Sequence, residues 1–114
     1  MAVTAFASGT KTADGTEQTL SDVNVAGVYQ LNVDLNAMAA GDVLELRVKR
    51  ITLTAGTLRK EYLYTFYGAQ PAEALSFDGD VLGNDLTDST ALRFTLTQTY
   101  GTNRDYPWKV LSYA

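Results

Sequence analysis

The chain has 114 residues, of which 46% are hydrophobic and 19% charged, and its nine basic and thirteen acidic residues give a net charge of −4. This length predicts one domain, residues 1–114, that can enclose its own hydrophobic core. Cysteine and histidine are both missing, which excludes disulfides, zinc sites with Cys or His ligands, and Ser-His-Asp or Cys-His catalysis. The acidic balance disfavours nucleic acid as a partner.

The first fifteen residues, MAVTAFASGTKTADG, lack the basic region and long apolar run of a secretory signal. No stretch of the chain approaches the roughly 18 apolar residues that a membrane helix needs. We therefore expect a protein that is made in a cytoplasm and has no membrane partner. Residues 1–15 are interpreted either as an N-terminal arm or as the first strand of the domain.

Two-residue alternation begins in GVYQLNVDLNAM, residues 27–38, and predicts a strand with one buried face. Its apolar positions are Tyr29, Leu31, Val33 and Leu35. The following NAMAAGD contains residues that favour one short helical turn, which Gly41 would end.

Residues 40–68 read as two strands joined by a turn at residues 55–57. Leu44, Leu46 and Val48 alternate, and then the apolar positions shift by one to Ile51 and Leu53. A β-bulge would return Ile51 and Leu53 to the core face, and a strand that crosses between two sheets is the alternative. The second strand has an aromatic face, with basic residues crowded near the turn: Tyr62, Tyr64 and Phe66, and Arg47, Lys49, Arg50, Arg59 and Lys60.

Residues 69–90 contain the proline, glycine and aspartate residues that are typical of loops, and they predict loops around one or two short strands. Strand alternation returns in ALRFTLTQTY and YPWKVLSY, on either side of a turn in GTNRD. Pro107 has no amide donor, so we expect it at the start of the last strand or on a sheet edge. About eight short strands and at most one helical turn predict an all-β antiparallel sandwich or small barrel that resembles a jelly roll. The predicted core is Tyr29, Leu31, Val33, Leu44, Leu46, Val48, Phe66, Phe94 and Leu96.

Three groups of residues are candidates for sites of chemistry. Asp78, Asp80, Asp85 and Asp88 supply oxygen ligands for calcium, but the spacing is not that of an EF-hand, and turn acids are the preferred interpretation. A hydrolytic pair of carboxylates could be drawn from Glu45, Glu61, Glu73 and the aspartates, but Glu45 and Glu61 are expected instead to pair with Arg47, Arg59 or Lys60 across strands. The strand aromatics are interpreted as core, although an exposed set would suit a carbohydrate-binding module. We expect no catalytic residue, no metal and no cofactor.

Two runs, GVYQLNVDLNAMAAGDVLELRVKR and QTYGTNRDYPWKVLSY, resemble the head decoration or cement proteins of tailed bacteriophages. The recognisable elements are VDLNAMAAGDVLELRV (33–48), YTFYGAQP (64–71) and RDYPWKVLSY (104–113). The resemblance covers about half of the chain and includes no catalytic motif.

The resemblance implies a virion protein on the capsid exterior, bound to the lattice of the major capsid protein, often as a homotrimer. We expect Val3 and Phe6 to anchor an arm. We expect Tyr106 and Trp108 to be apolar interface residues, with burial in the core as the alternative for Trp108. A tail or fibre domain that binds glycans, or a carbohydrate-binding module, is the alternative function.

Overall fold

The computed structural model describes residues 3–70, 76–79 and 81–113, with residues 76–78 as backbone. The described residues form nine strands and no helix. In chain order the strands are β1 (Val3–Thr12), β2 (Gln18–Val23), β3 (Gly27–Asp34), β4 (Val43–Arg50), β5 (Arg59–Tyr67), β6 (Ser76–Asp78), β7 (Leu82–Asn84), β8 (Leu92–Tyr100) and β9 (Asp105–Tyr113). The all-β prediction is therefore confirmed.

The strands form two antiparallel sheets that face each other across one core. One sheet has the order β1-β9-β3-β6, with β7 also on β3, and the other has the order β2-β8-β4-β5. The pairs are nested along the chain: β1 with β9, β2 with β8, β3 with β6 and β7, and β4 with β5. Since β6 and β7 share one place beside β3, there are eight strand positions in the nested order of a jelly-roll sandwich.

The core lies where the alternating apolar residues of the two sheets meet. Eight of the nine predicted core residues are buried, and the ninth, Phe66, is half-buried and packs against the others. In β3 the buried positions are every second residue from Tyr29 to Val33, as a strand with one face on the core requires. The sequence periodicity therefore identified the inner faces correctly.

The expected helical turn at residues 36–42 is replaced by two consecutive hydrogen-bonded turns. The Met38 amide donates to the Leu35 carbonyl (3.1 Å), and the Asp42 amide donates to the Ala39 carbonyl (3.1 Å). Each bond closes a turn without continuing into a helix, and Gly41 has a φ of +90° at the point where the chain enters β4.

The predicted bulge exists but lies on the other strand of the hairpin. The register shifts between Val48 and Lys49 in the β4–β5 pairing, and the extra residue is Glu61 of β5. Ile51 is buried just after β4 ends, whereas Leu53 is 74% exposed. The expectation that Leu53 faces the core is therefore wrong, because the chain has already left the sheet.

The chain turns at residues 53–56 instead of continuing the strand. The Gly56 amide donates to the Leu53 carbonyl (2.9 Å), and Ala55 has a φ of +60°. Pro107 was expected at the start of the last strand or on a sheet edge; it is instead paired with Thr10 of β1 as the third residue of β9, before the pairing with β3 begins.

Candidate functional site

The N-terminal residues form an edge strand. β1 pairs with β9 from Val3 to Thr12, with one bulge at Phe6. Val3 is 52% exposed, while the ring of Phe6 is half-buried and meets the ring of Tyr29 edge-to-face at 5.2 Å. The described residues 3–12 therefore form the first strand of the domain, which is one of the two interpretations of this segment, and not a free arm. No strand of the described part of the chain covers the outer edge of β1.

The two aromatic side chains of β9 that the sequence suggested for an interface differ in accessibility. Tyr106 is 0% exposed and its hydroxyl donates to Gln98 Oε1 (3.0 Å). Trp108 is half-buried against the core, beside Gly9 on the neighbouring strand. The assignment of Tyr106 to an exposed apolar interface is therefore wrong. Its alternation with Val110 on one face of β9 puts it inside the sandwich.

A buried carboxylate, Asp42, organises one end of the sandwich. Asp42 is 1% exposed. Its Oδ2 accepts hydrogen bonds from the Ala39 amide (2.9 Å) and from Arg104 Nε (3.0 Å), and its Oδ1 accepts one from the Thr102 amide (3.2 Å). Its backbone carbonyl accepts a fourth from the Gly68 amide (2.7 Å). Three connections between strands are thus held by one residue.

The ionised form of Asp42 is the one that these contacts favour. Burial opposes ionisation, but the Ala39 amide, the Arg104 guanidinium and the Thr102 amide outweigh it and lower the pKa of Asp42. Gly101 lies against the carboxylate with a φ of +94°, and a side chain there would overlap Asp42. The turn between β8 and β9 therefore needs glycine at position 101.

A second polar side chain extends this network into the core. Gln98 Nε2 donates to the carbonyls of Thr102 (2.5 Å) and Tyr100 (3.2 Å). Gln98 Oε1 accepts from the Arg104 amide (3.2 Å) and from the Tyr106 hydroxyl. Burial, and to a smaller extent the charge of Asp42, raise the pKa of Tyr106 to about 12. Tyr106 is therefore a neutral donor within this network at physiological pH.

Three stretches of the chain meet at this network. Asp42 belongs to residues 33–48, Gly68 to residues 64–71, and Arg104 to residues 104–113. The Gly68 amide and Arg104 Nε both bond to Asp42, so these stretches are directly connected in the fold. Sequence reasoning missed Asp42, because Gly-Asp before a strand is an ordinary turn sequence and its partner Arg104 is 62 positions away.

The outer face of the β1-β9-β3 sheet carries an open depression of about 490 Å³. The alternation of β3 and β9 points hydroxyl, amide and charged side chains into it. Its lining residues are Ser8, Gly9, Thr10, Asn32, Asp34, Pro107, Trp108 and Lys109. Among the described lining residues the carboxylate is that of Asp34, which accepts the Asn36 amide (2.9 Å). The depression can hydrogen-bond a polar molecule, but its described lining contains no pair of acids.

The outer face of the other sheet is covered by ion pairs. These are Glu17 with Lys49 and Arg47, Glu45 with Arg47, and Arg93 with Asp22. A further pair, Arg50 with Glu61, lies at the end of β4 beside the bulge. Two of the acids that could have formed a hydrolytic pair instead bind arginines, Glu45 to Arg47 at 2.8 Å and Glu61 to Arg50 at 2.6 Å. Three of the basic residues near the hairpin turn, Arg47, Lys49 and Arg50, are therefore paired with carboxylates.

One row of this face is apolar and exposed. Val43 of β4 is paired on one side with Tyr67 of β5 and on the other with Tyr100 of β8. Tyr67 is 72% exposed and Tyr100 is 71% exposed, while Val43 between them is half-buried. Neither tyrosine was singled out from the sequence, because both stand at strand ends where the alternation becomes hard to follow.

The acidic loop is only partly described. Asp88 Oδ2 accepts the Ala55 amide (2.8 Å) and thereby connects this loop to the turn after β4. Asp80 and the side chain of Asp78 lie outside the described residues. Among the side chains that are described, no three acidic groups come together as metal ligands would. The described chain also contains no helix with the length and apolarity to cross a bilayer.

Comparison of the chain with models of known families, with curated proteins and with solved structures finds no significant match.

Proposed function

We propose that the protein is a structural component of a phage virion that binds the outside of the capsid as a decoration or cement protein. The observation that carries the proposal is the resemblance of three stretches to such proteins, because these stretches contact one another around Asp42.

The fold is compatible with this role without specifying it. Jelly-roll sandwiches occur in viral capsid proteins and also in lectins, so the fold by itself does not select a function. A decoration protein works through contacts alone. In the proposed role the carboxylates are structural, as the bonds of Asp42, Glu45 and Glu61 to arginines illustrate.

The proposed capsid contact is the outer edge of β1. The backbone N–H and C=O groups at this edge point away from β9, and Val3, at the start of the strand, is exposed. An uncovered strand edge can add to a sheet of another protein, with affinity supplied by main-chain hydrogen bonds. A domain of this size gains further affinity when several copies bind one lattice, so we propose a homotrimer in the bound state.

The test is binding to capsids of the phage that encodes the chain, before and after shell expansion. Deletion of residues 1–10 is unsuitable, because it removes most of β1 and the Phe6–Tyr29 contact along with it. We instead choose Val3→Asp, with Val25→Asp as the matched control at 51% exposure. Co-sedimentation should show that the natural protein and V25D bind expanded capsids, and that V3D binds at least about tenfold more weakly, equivalent to about 1.4 kcal/mol.

Failure of the natural protein to bind expanded capsids would overturn the proposed function. Equal binding of V3D and V25D would leave the function standing and exclude the β1 edge as the contact. Analytical ultracentrifugation of capsid-free protein, together with subunit counting on decorated capsids, tests the trimer separately.

A second candidate function, glycan binding by a tail, fibre or carbohydrate-binding module, is favoured by one observation. That interpretation requires exposed aromatic side chains on a sheet face, and Tyr67 and Tyr100 are exposed and paired with Val43 on either side of β4.

A further inference from the structure

The row formed by Tyr67, Val43 and Tyr100, here called the tyrosine row, has the geometry of a small binding surface. Directly paired residues of neighbouring strands project from the same side of a sheet. Tyr67 is paired with Val43 in regular register, whereas Tyr100 is paired with Val43 next to a register shift at Thr99 and is exposed there. Adjacent strands lie about 4.8 Å apart, so the two tyrosines, which are separated by β4, are spaced by roughly 9.6 Å at the backbone. The two exposed aromatic side chains thus flank the shorter, half-buried side chain of Val43.

The next row along the same strands is polar. Glu45 of β4 is paired with Thr65 of β5 and with Thr97 of β8. Thr65 is half-buried, and the Glu45 carboxylate accepts Arg47 NH2 at 2.8 Å while keeping part of its surface accessible. A ligand that lies on the tyrosine row therefore has hydrogen-bonding groups along one side.

The base of the tyrosine row is fixed by the buried network at this end of the sandwich. Val43 directly follows Asp42, whose carbonyl binds the Gly68 amide immediately after Tyr67. On the other side, Gln98 Nε2 donates to the Tyr100 carbonyl (3.2 Å). Both tyrosines are thus attached to backbone that is held in place before a ligand arrives, which lowers the ordering cost of binding.

The size of the tyrosine row argues against a protein partner. A specific protein interface buries about 800 Å² on each partner and needs a broad desolvated centre. Here three side chains are bordered by ion-paired residues such as Glu45 and Arg47, whose desolvation would be costly. A narrow extended ligand can cover the apolar row without burying these charges.

We propose that the tyrosine row binds an extended β-1,4-linked oligosaccharide that runs across strands β5, β4 and β8. In such a chain every second pyranose presents the same face, and the distance from one ring to the next but one is close to the separation of the tyrosines, so that at least three rings are needed to contact both. The axial C–H groups of a pyranose pack on the electron-rich face of an aromatic ring. The sugar hydroxyls then meet Glu45 and Thr65. This site is independent of the proposed capsid contact, which lies on the other sheet.

The test is titration of the isotope-labelled full chain with cellohexaose and with chitohexaose, followed by NMR of the backbone amides. Shifts should concentrate at residues 43, 67 and 100, and at least one of the two hexamers should bind. Tyr67→Ala and Tyr100→Ala should each weaken binding by roughly three- to tenfold, and Tyr67→Phe should not. Leu53→Ala is the control for loss of an exposed apolar side chain, since Leu53 is 74% exposed and outside the row.

Cellobiose and chitobiose distinguish a two-tyrosine site from a single stacking contact. A disaccharide cannot reach both tyrosines as the hexamer does, so it should bind at least about tenfold more weakly; equal affinity would overturn the proposal. Absence of binding by both hexamers at millimolar concentration, or binding that neither alanine variant affects, would also overturn it. If the two variants instead lose capsid binding or self-association while keeping well-dispersed spectra, the row is a protein interface and the sugar assignment is wrong.

Discussion

Two ion pairs of similar geometry occupy different environments in this molecule. Arg104 Nε lies 3.0 Å from Asp42 Oδ2, and Lys49 Nζ lies 2.8 Å from Glu17 Oε1. The side chain of Asp42 is 1% exposed, whereas that of Glu17 is 33% exposed. The buried pair connects loops at one end of the sandwich, and the surface pair lies on the outer face of a sheet.

The difference shows that the distance between the charged atoms does not by itself indicate how much an ion pair contributes to stability. Both carboxylates also accept other bonds, Asp42 from two backbone amides and Glu17 from the Thr95 hydroxyl (2.7 Å). Loss of Asp42 leaves backbone donors buried without an acceptor, while loss of Glu17 leaves groups that water can reach. We therefore expect the end of the sandwich at Asp42 to depend on its charged residue and the outer sheet face to tolerate change.

The largest expected effect is that of Asp42→Ala. Removing one partner of a buried pair typically costs about 3–5 kcal/mol, because the remaining polar groups stay uncompensated. We place Asp42→Ala at the lower end of this range, since Arg104 is 31% exposed and can be partly hydrated. Urea unfolding should show the loss as a lower midpoint with an unchanged slope.

Asp42→Asn is the control that separates charge from shape. It keeps the volume and one acceptor oxygen, so it should lose less stability than Asp42→Ala. A loss below about 1 kcal/mol for Asp42→Ala, the level of an ordinary surface pair, would contradict the importance given to burial.

Acid should act more strongly on the Asp42 end than on the outer sheet face. Burial opposes ionisation of Asp42 and of Glu17, yet hydrogen bonds and cations lower the pKa of both carboxyls. A folded-state pKa below the unfolded value gives stability that is complete above the unfolded value, about 4, and is lost as pH falls through the folded value.

The free energy of unfolding should therefore be nearly constant between about pH 5 and 7 and decline below about pH 4. Urea titrations at several pH values should show a shallower acid decline in Asp42→Asn than in Glu17→Gln. An equal or steeper decline in Asp42→Asn would mean that Asp42 is not the main acid-sensitive group of the pair.

The features that could be predicted from the sequence are those that depend only on the two-residue alternation within a segment. Alternation in residues 27–35 and 43–50 identified the strands and their buried faces, because each side chain's face follows from its position along a strand. The same reasoning failed at Leu53, where the chain leaves the sheet, and at the bulge, where the extra residue Glu61 belongs to the partner strand. Strand ends depend on tertiary contacts that alternation does not contain.

Reasoning from the sequence missed most of the candidate sites, because these sites depend on contacts between residues that are far apart along the chain. Nothing local distinguishes Asp42 from other turn aspartates, since its partners Thr102 and Arg104 become neighbours only when β8 and β9 fold back. Tyr106 was considered as an interface residue, because an aromatic at strand spacing fits a core and an interface equally well. The pairing of Tyr67 and Tyr100 on either side of Val43 required the strand order, which alternation does not provide.

The smallest effect is expected for Glu17→Gln on the outer sheet face. Exposed ion pairs contribute about 0–1 kcal/mol, because water solvates the separated charges nearly as well and two long side chains lose freedom when they pair. Glu17→Gln removes the attraction to Lys49 and Arg47 and keeps an oxygen that can still accept the Thr95 hydroxyl. We expect a loss of at most about 1 kcal/mol in urea unfolding at low salt.

Salt provides the matched measurement for this last prediction. At about 1 M salt the screening length falls to about 3 Å, so the difference between the natural protein and Glu17→Gln should nearly vanish. The difference for Asp42→Ala should persist, since it arises from buried groups without partners that ions in solution do not reach. A Glu17→Gln loss above about 2 kcal/mol that salt leaves unchanged would show that the outer face is as dependent on its carboxylate as the buried end, and would remove the distinction between the two regions.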